Sequence, residues 1–350
     1  MKAVQKFQHG YGNIHCVEVP EPSPERGQVK IKIAYTGICG TDLHFYDESF
    51  PLTVPLPLTL GHEFSGVVCE VGEGVTQWKV GDRVTAETAK ETCGVCERCQ
   101  TGQHSLCTQR RAFGQQLDGV MAEYICTDAK RVHRVPDTVS LLEASMCEPS
   151  CVAYHAVLSL TDIKPGELAV VIGPGPIGMG VVQMLAAAGA YILILGRRRN
   201  QKRLELALSM GAAEAVYIDE EDALAKVMAL TGNQGADYIF DCAGKDDAIE
   251  MGIGLCKKGG TFVEVALTDF KGSTIHNFSD IVMKEIRFQG SFSHRYREWD
   301  RVLNMMARKK LDVLPMVSHT FKLEECVEAF EAKDKLKVIF EIDPEEWPKA

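Results

Sequence analysis

Hydrophobic and polar positions alternate with a period of two early in the chain and give way to continuous apolar runs later. Val29 to Tyr35 (VKIKIAY) has the alternation of a half-buried strand. Gly66 to Val71 (GVVCEV) and Gly81-Asp82-Arg83-Val84 read as further short strands cut by glycine and acidic turns. No window of helical period precedes about Leu141. The first part is therefore expected to be a small β-barrel or sandwich with long loops.

The texture changes near Thr161. Leu168 to Ile172 (LAVVI) is apolar throughout, as expected of a strand buried on both faces. A glycine-rich turn follows, then an apolar helical stretch from Ile177 to Ala188, with Gly189 at its C-cap. Tyr191 to Leu195 (YILIL) predicts the next strand, and Gln201 to Met210 a helix closed by Gly211. Tyr238-Ile239-Phe240 and Thr261 to Val265 (TFVEV) continue the alternation, which predicts parallel βαβ units. After about Gly290 the rule lapses. Glu298 to Arg308 predicts an amphipathic helix and Val338 to Ile342 a final strand, a tail expected to return to the first domain.

A length of 350 residues, 45% of them hydrophobic, suits a two-domain enzyme. The net charge of −10 disfavours nucleic acid and anionic membranes as partners. No apolar run approaches the roughly 20 residues that span a bilayer, and Met1 to Phe7 lacks the apolar stretch of a signal peptide. A cytoplasmic location is expected.

Thirteen cysteines are the unusual feature, and in a reducing compartment thiols serve as ligands, catalysts or core. Cys93, Cys96, Cys99 and Cys107 have the spacing C-x2-C-x2-C-x7-C. Three thiols two residues apart can turn inward on a tight loop, and a fourth closes a tetrahedron suited to structural zinc. An iron–sulfur cluster is the other chemistry of such spacing, without the rest of a ferredoxin sequence to support it. The surrounding Glu91, Glu97, Arg98, Gln100 and Gln103 make a polar loop, a poor place for four buried free thiols. A second constellation gathers Cys39, His62, Glu63 and Glu148. One thiolate, one imidazole and one or two carboxylates are the ligand mix of a catalytic zinc with an open position.

Cys39-Gly-Thr-Asp42, Gly61-His62-Glu63, Gly81-Asp82-Arg83-Val84, the four-cysteine lobe and Gly173-Pro-Gly-Pro-Ile-Gly178 come in an order that resembles the zinc-containing medium-chain alcohol dehydrogenases. The resemblance covers nearly the whole chain, and Glu148-Pro149 is similar to the sorbitol (polyol) dehydrogenase branch. It implies an α/β protein: a GroES-like β-barrel catalytic domain over 1–153, with a structural-zinc lobe at about 90–110. A Rossmann domain with a doubly wound parallel sheet would occupy 154–290, and 291–350 would return to the catalytic domain. It implies Cys39, His62 and Glu63 as catalytic-zinc ligands, with Glu148 binding the metal or holding its water. It further implies Thr41 as the hydroxyl that takes the substrate proton, His44 as the relay to solvent, two zinc ions per chain, and a homodimer or homotetramer.

Gly173-x-Gly175-x-x-Gly178 follows a buried strand and opens a helix, the context of a dinucleotide loop. The cofactor-binding set comprises Gly173, Gly175, Pro176, Ile177, Gly178, Gly196, Arg197, Arg198, Arg203, Leu267 and Phe292. The next strand ends Leu195-Gly196-Arg197-Arg198-Arg199, with no carboxylate to bond a ribose 2′-hydroxyl. Guanidinium groups grip phosphate, so NADP(H) is expected over NAD(H). Phe45, Tyr46, Phe113 and Phe292 are aromatic candidates for the substrate pocket. Ser293-His294 stands where the sorbitol branch has a polyol-contacting Arg-Tyr pair; polyols, their phosphates and cyclitols remain open, with threonine as the amino-alcohol alternative. A non-catalytic dinucleotide-binding protein on the same fold is the alternative of another class, against which the intact metal donors argue.

Overall fold

The computed structural model describes residues 1–50, 54–268, 272 and 274–344. Its backbone divides into two units, one gathering Met1–Glu148 with His294–Ala350, the other Pro149–Ser293.

The first unit is organised by the strand Gln28–Gly37. Val29, Ile31 and Ile33 alternate into a core with Phe64, Val68, Val84 and Ile125. Lys30 on the opposite face is also buried, its ammonium satisfied by Glu21 and lying 5.0 Å over the Tyr124 ring. Gln28–Gly37 pairs antiparallel with Glu63–Val71 and with Tyr124–Asp128. It also pairs with Lys337–Glu341, so the last described strand belongs to the same sheet as the first long one. A second cluster packs Phe45, Tyr46, Leu58 and Leu60 against Phe330, Val338 and Phe340.

The expectation that no helix precedes Leu141 is corrected by two short ones, Gly40–Tyr46 and Glu97–Gln100. Neither reaches the two or more turns over which a 3.6-residue period becomes visible, so no apolar stripe announces them.

The second unit is the parallel sheet that the alternating pattern predicts. Among the described residues its strand order is Glu214–Tyr217, Tyr191–Gly196, Leu168–Ile172, Ala236–Asp241, Cys256–Glu264 and Arg287–Gly290. Every neighbouring pair is parallel. Leu168–Ile172 is buried along its whole length, which is why it reads as an unbroken apolar run. The edge strand Arg287–Gly290 was not anticipated; it is largely exposed and has no apolar period. Helix Pro176–Ala188 starts with Gly175 as N-cap and Pro176 at its first position, and it ends at Gly189 with φ 81°.

Gly178 is the tightest point of that loop. A Cβ there would lie 2.0 Å from the carbonyl oxygen of Gly173. Gly178→Ala is therefore expected to cost about 1–3 kcal/mol through forced backbone displacement and to weaken dinucleotide binding. Thermal unfolding with and without dinucleotide checks this, and unchanged melting and affinity would refute it.

Candidate active site

Strand register brings the first site together. Gly37 is paired with Glu63, so the turn leaving one strand at Cys39 lies beside the turn entering the other at His62. Cys39 is the N-cap of helix Gly40–Tyr46, and Asp42 is its third residue. One Asp42 oxygen accepts the Cys39 N–H at 2.8 Å, in the manner of a capping box; the other accepts the Gly61 N–H at 3.1 Å. Asp42 thus ties the two turns to each other from a fully buried position. Gly61 has φ 88°, and a Cβ there would meet Met121 Cγ at 2.6 Å, so the turn that aims His62 requires glycine.

Donor atoms of Cys39, His62 and Glu63 all lie within 4.8 Å of one another. His62 Nδ1 is buried without a hydrogen-bond partner. Burial opposes charge on His62, yet the Cys39, Asp42 and Glu148 groups around it hold the imidazole well above its ordinary pKa. Donor set, orphaned nitrogen and negative field together fit a divalent cation. Glu63 also pairs with Lys337, whose Nζ donates to the Ile38 carbonyl at 3.0 Å. Both partners are buried; burial would discharge Lys337, but Glu63 and Cys39 keep it protonated.

Glu148 stands outside the 4.8 Å triplet. It occupies the first turn of helix Cys147–Tyr154, buried, with Oε1 3.4 Å from His294 Nε2. Burial would raise its pKa, but the His294 contact and the His62 and Lys337 charges bring it below the usual carboxylate value. Thr41 and His44 lie one turn apart on helix Gly40–Tyr46, hence on one face. Thr41 Oγ1 is 3.9 Å from Cys39 Sγ, and His44 Nδ1 is 2.6 Å from Ser49 Oγ.

The four lobe cysteines also form one group. Their sulfurs are 3.8 Å apart for Cys93–Cys99, 3.5 Å for Cys96–Cys99 and 3.7 Å for Cys107–Cys93. A tetrahedron with bonds of about 2.3 Å needs edges of about 3.8 Å, so the sulfurs are already at ligating separations. Backbone N–H groups of Val95 and Cys96 pull the Cys93 thiol down to about 6, toward the thiolate that binds metal.

In the other unit, Gly173, Gly175, Pro176, Ile177 and Gly178 form the turn from strand Leu168–Ile172 into its helix. Gly196 closes the neighbouring strand, where a Cβ would lie 3.1 Å from both Leu204 and Pro174. Arg198 covers the Tyr217 ring at 4.7 Å, and Arg197 pairs with Asp247 at 3.2 Å. The expected absence of a carboxylate beside these arginines holds only along the strand itself. Asp219, reached through the Gly196–Tyr217 pairing, accepts the Arg198 N–H at 2.8 Å. Arg203 lies on helix Gln201–Ser209, while Leu267 and Phe292 are about half exposed.

Of the aromatic candidates, Phe45, Tyr46 and Phe113 pack into the hydrophobic clusters and are core. The roles of Asp42 and Lys337 were not foreseen. Asp42 was visible only as part of the Cys39-Gly-Thr-Asp42 motif, and Lys337 carried no local signal.

Residues 25–137 match the family model of the alcohol dehydrogenase GroES-like domain, and residues 176–308 that of the zinc-binding dehydrogenases. The chain is 40% identical over 333 residues to a sorbitol dehydrogenase of Halalkalibacterium halodurans, covering 95% of this chain and 96% of that one. It is 34% identical to a D-arabitol-phosphate dehydrogenase of Enterococcus avium, covering 99% of both chains. An L-threonine 3-dehydrogenase of Bacillus velezensis is 35% identical, with 96% of each chain covered. Among solved structures, a zinc-binding dehydrogenase of Sinorhizobium meliloti bound to NADP superposes with a TM-score of 0.87 at 31% identity, covering 97% of this chain and 98% of that one.

Proposed function

The chain belongs to the zinc-containing medium-chain alcohol dehydrogenases, in the sorbitol-like branch, and from that premise we propose how its own residues divide the work. The family reaction is hydride transfer between a secondary alcohol and NAD(P). The single observation that carries our reading is the Cys39–His62–Glu63 triplet with its partnerless buried nitrogen. These three residues hold the catalytic zinc, and the four lobe cysteines hold a second, structural ion.

Zinc held by Cys39, His62 and Glu63 would supply the Lewis acidity that lowers the pKa of an alcohol hydroxyl, and a dinucleotide would supply the hydride acceptor. Thr41 takes the hydroxyl proton at its Oγ1 and gives up its own in the same transfer. His44, one turn on, passes that proton toward solvent, a task suited to an imidazole. Glu148, close to the triplet without belonging to it, orders what occupies the remaining position. Asp42 fixes the distance between Cys39 and His62 through the two backbone N–H groups it holds.

The substrate we infer is a polyol, a sugar alcohol or its phosphate, in keeping with the sorbitol and arabitol-phosphate relatives. NADP(H) is the preferred dinucleotide. The support is three consecutive arginines after Gly196, the half-exposed Arg197 and Arg198 making surface ion pairs that a phosphate can displace. Arg198→Ala is expected to raise KM for NADP⁺ about tenfold, the loss of one charge-assisted hydrogen bond, and to leave KM for NAD⁺ within about twofold. Equal effects on both dinucleotides would refute the preference.

A homodimer or homotetramer is supported by exposed Phe278, Val282, Met283 and Phe288 on and beside the edge strand Arg287–Gly290. A cytoplasmic location fits thirteen cysteines that are not joined in disulfides, and no described helix is long and apolar enough to cross a membrane. The deciding experiment is a cofactor-reduction screen over polyols, polyol phosphates and threonine, run separately with NAD⁺ and NADP⁺. Reduction with threonine alone would overturn the polyol assignment.

A further inference from the structure

Among the buried histidines, His294 has both ring nitrogens in polar contact. Nδ1 receives the indole N–H of Trp299 at 3.0 Å. Nε2 lies 3.4 Å from Glu148 Oε1 and 3.5 Å from Thr88 Oγ1. The imidazole is 2% exposed, so no solvent competes for these contacts.

Indole is a donor and never an acceptor. The nitrogen facing it must present a lone pair, so the ring's single proton sits on Nε2 and points at Glu148. We propose that Trp299 locks His294 as the Nε2–H tautomer, and that this ring is the positioning residue for the Glu148 carboxylate. The proposal rests on the reading of Glu148 given above.

The surroundings fix each part of this relay. Trp299 is fully buried on helix Tyr296–Ala307 and stacks on the His133 ring at 5.4 Å and 7°. His133 is itself held by Asp300 at 2.9 Å. The two rings joined by the indole N–H meet edge to face, at 4.9 Å and 89°. On the backbone side, Ser105 Oγ donates to the His294 carbonyl at 3.0 Å. Ser293 sits at φ 57°, a left-handed conformation that a non-glycine residue adopts only where its surroundings enforce it. Thr88 Oγ1 takes a hydrogen bond from Arg110 at 3.4 Å, so its lone pairs are partly engaged and Glu148 is the stronger acceptor for His294. One carboxylate oxygen is thereby tied back, which leaves the other as the working atom.

Two measurements test this. Long-range ¹H–¹⁵N imidazole spectra of the full zinc-loaded chain, with His294 assigned by its loss in His294→Gln, should show a neutral ring protonated at Nε2. In Trp299→Phe the same ring should become a mixture of tautomers. A wild-type ring protonated at Nδ1, or a spectrum unchanged in Trp299→Phe, overturns the lock. In steady-state kinetics, His294→Leu should lower kcat by about 10–100-fold, as loss of an outer-shell partner does, with KM for the dinucleotide and zinc content unchanged. His294→Gln, whose amide can both accept from Trp299 and donate to Glu148, should recover most of the loss. A His294→Leu enzyme with wild-type kcat, or a Gln variant as poor as Leu, overturns the positioning role. The spectra require no turnover, so an inactive protein with a locked ring would count against the function assigned to the site while sustaining the tautomer.

Discussion

His62→Ala or Cys39→Ser is expected to reduce turnover by about 10³-fold or more, a loss of roughly 4 kcal/mol of barrier lowering when the Lewis acid goes. Dinucleotide binding should survive. The two variants fail for the same reason by different routes. Cys39 supplies the thiolate and His62 the imidazole, two of the three donors that lie within 4.8 Å of one another, so either substitution breaks the set. Both side chains sit in turns that Asp42 fixes through backbone N–H groups rather than through the substituted atoms. The turns should therefore persist in the variants, and the loss should be chemical rather than a collapse of the fold. Elemental analysis, dinucleotide titration and turnover measured on one preparation check this. Wild-type activity in both variants would end the zinc reading, whatever the outcome for the four-cysteine lobe.

Cys99→Ser should remove one zinc per chain and lower the melting temperature by about 5 °C or more, several kcal/mol of stability. The lobe has little regular structure of its own. Its helix Glu97–Gln100 is four residues long, and its backbone turns through Gly94 and Gly102 at positive φ. Cys99, like Cys93, touches two other sulfurs, at 3.8 and 3.5 Å to Cys93 and Cys96. Activity should fall as well, though by less than in His62→Ala. Ser105 lies inside the lobe and donates to the carbonyl of His294, whose ring faces Glu148. A variant that keeps full zinc content and wild-type melting would show that the four thiols are core residues and not ligands.

Much of the site was legible because its chemistry is local. The four lobe cysteines fall within fifteen residues, and the glycine loop is continuous between a strand and a helix. Cys39, His62, Glu63 and Glu148 were visible as residue types, but their assembly depends on register. A shift of one residue between Gln28–Gly37 and Glu63–Val71 would send alternate side chains to the opposite face. The short helices escaped notice because seven and four residues cannot display a period. Asp219 escaped because it reaches the arginines from the neighbouring strand rather than from the one that carries them.

By itself the sequence determined the alternation of β-rich and βαβ texture, the donor types and the glycine-rich turn, all of which are encoded in neighbouring residues. Only the tertiary structure decided that Lys337 answers Glu63 from 274 positions away, that the His294 ring comes to face Glu148, and that Glu148 stands back from the three donors. These contacts join segments far apart in the chain, so no local period or spacing can announce them. They exist only once burial has excluded water and left each polar atom to find its partners within the protein.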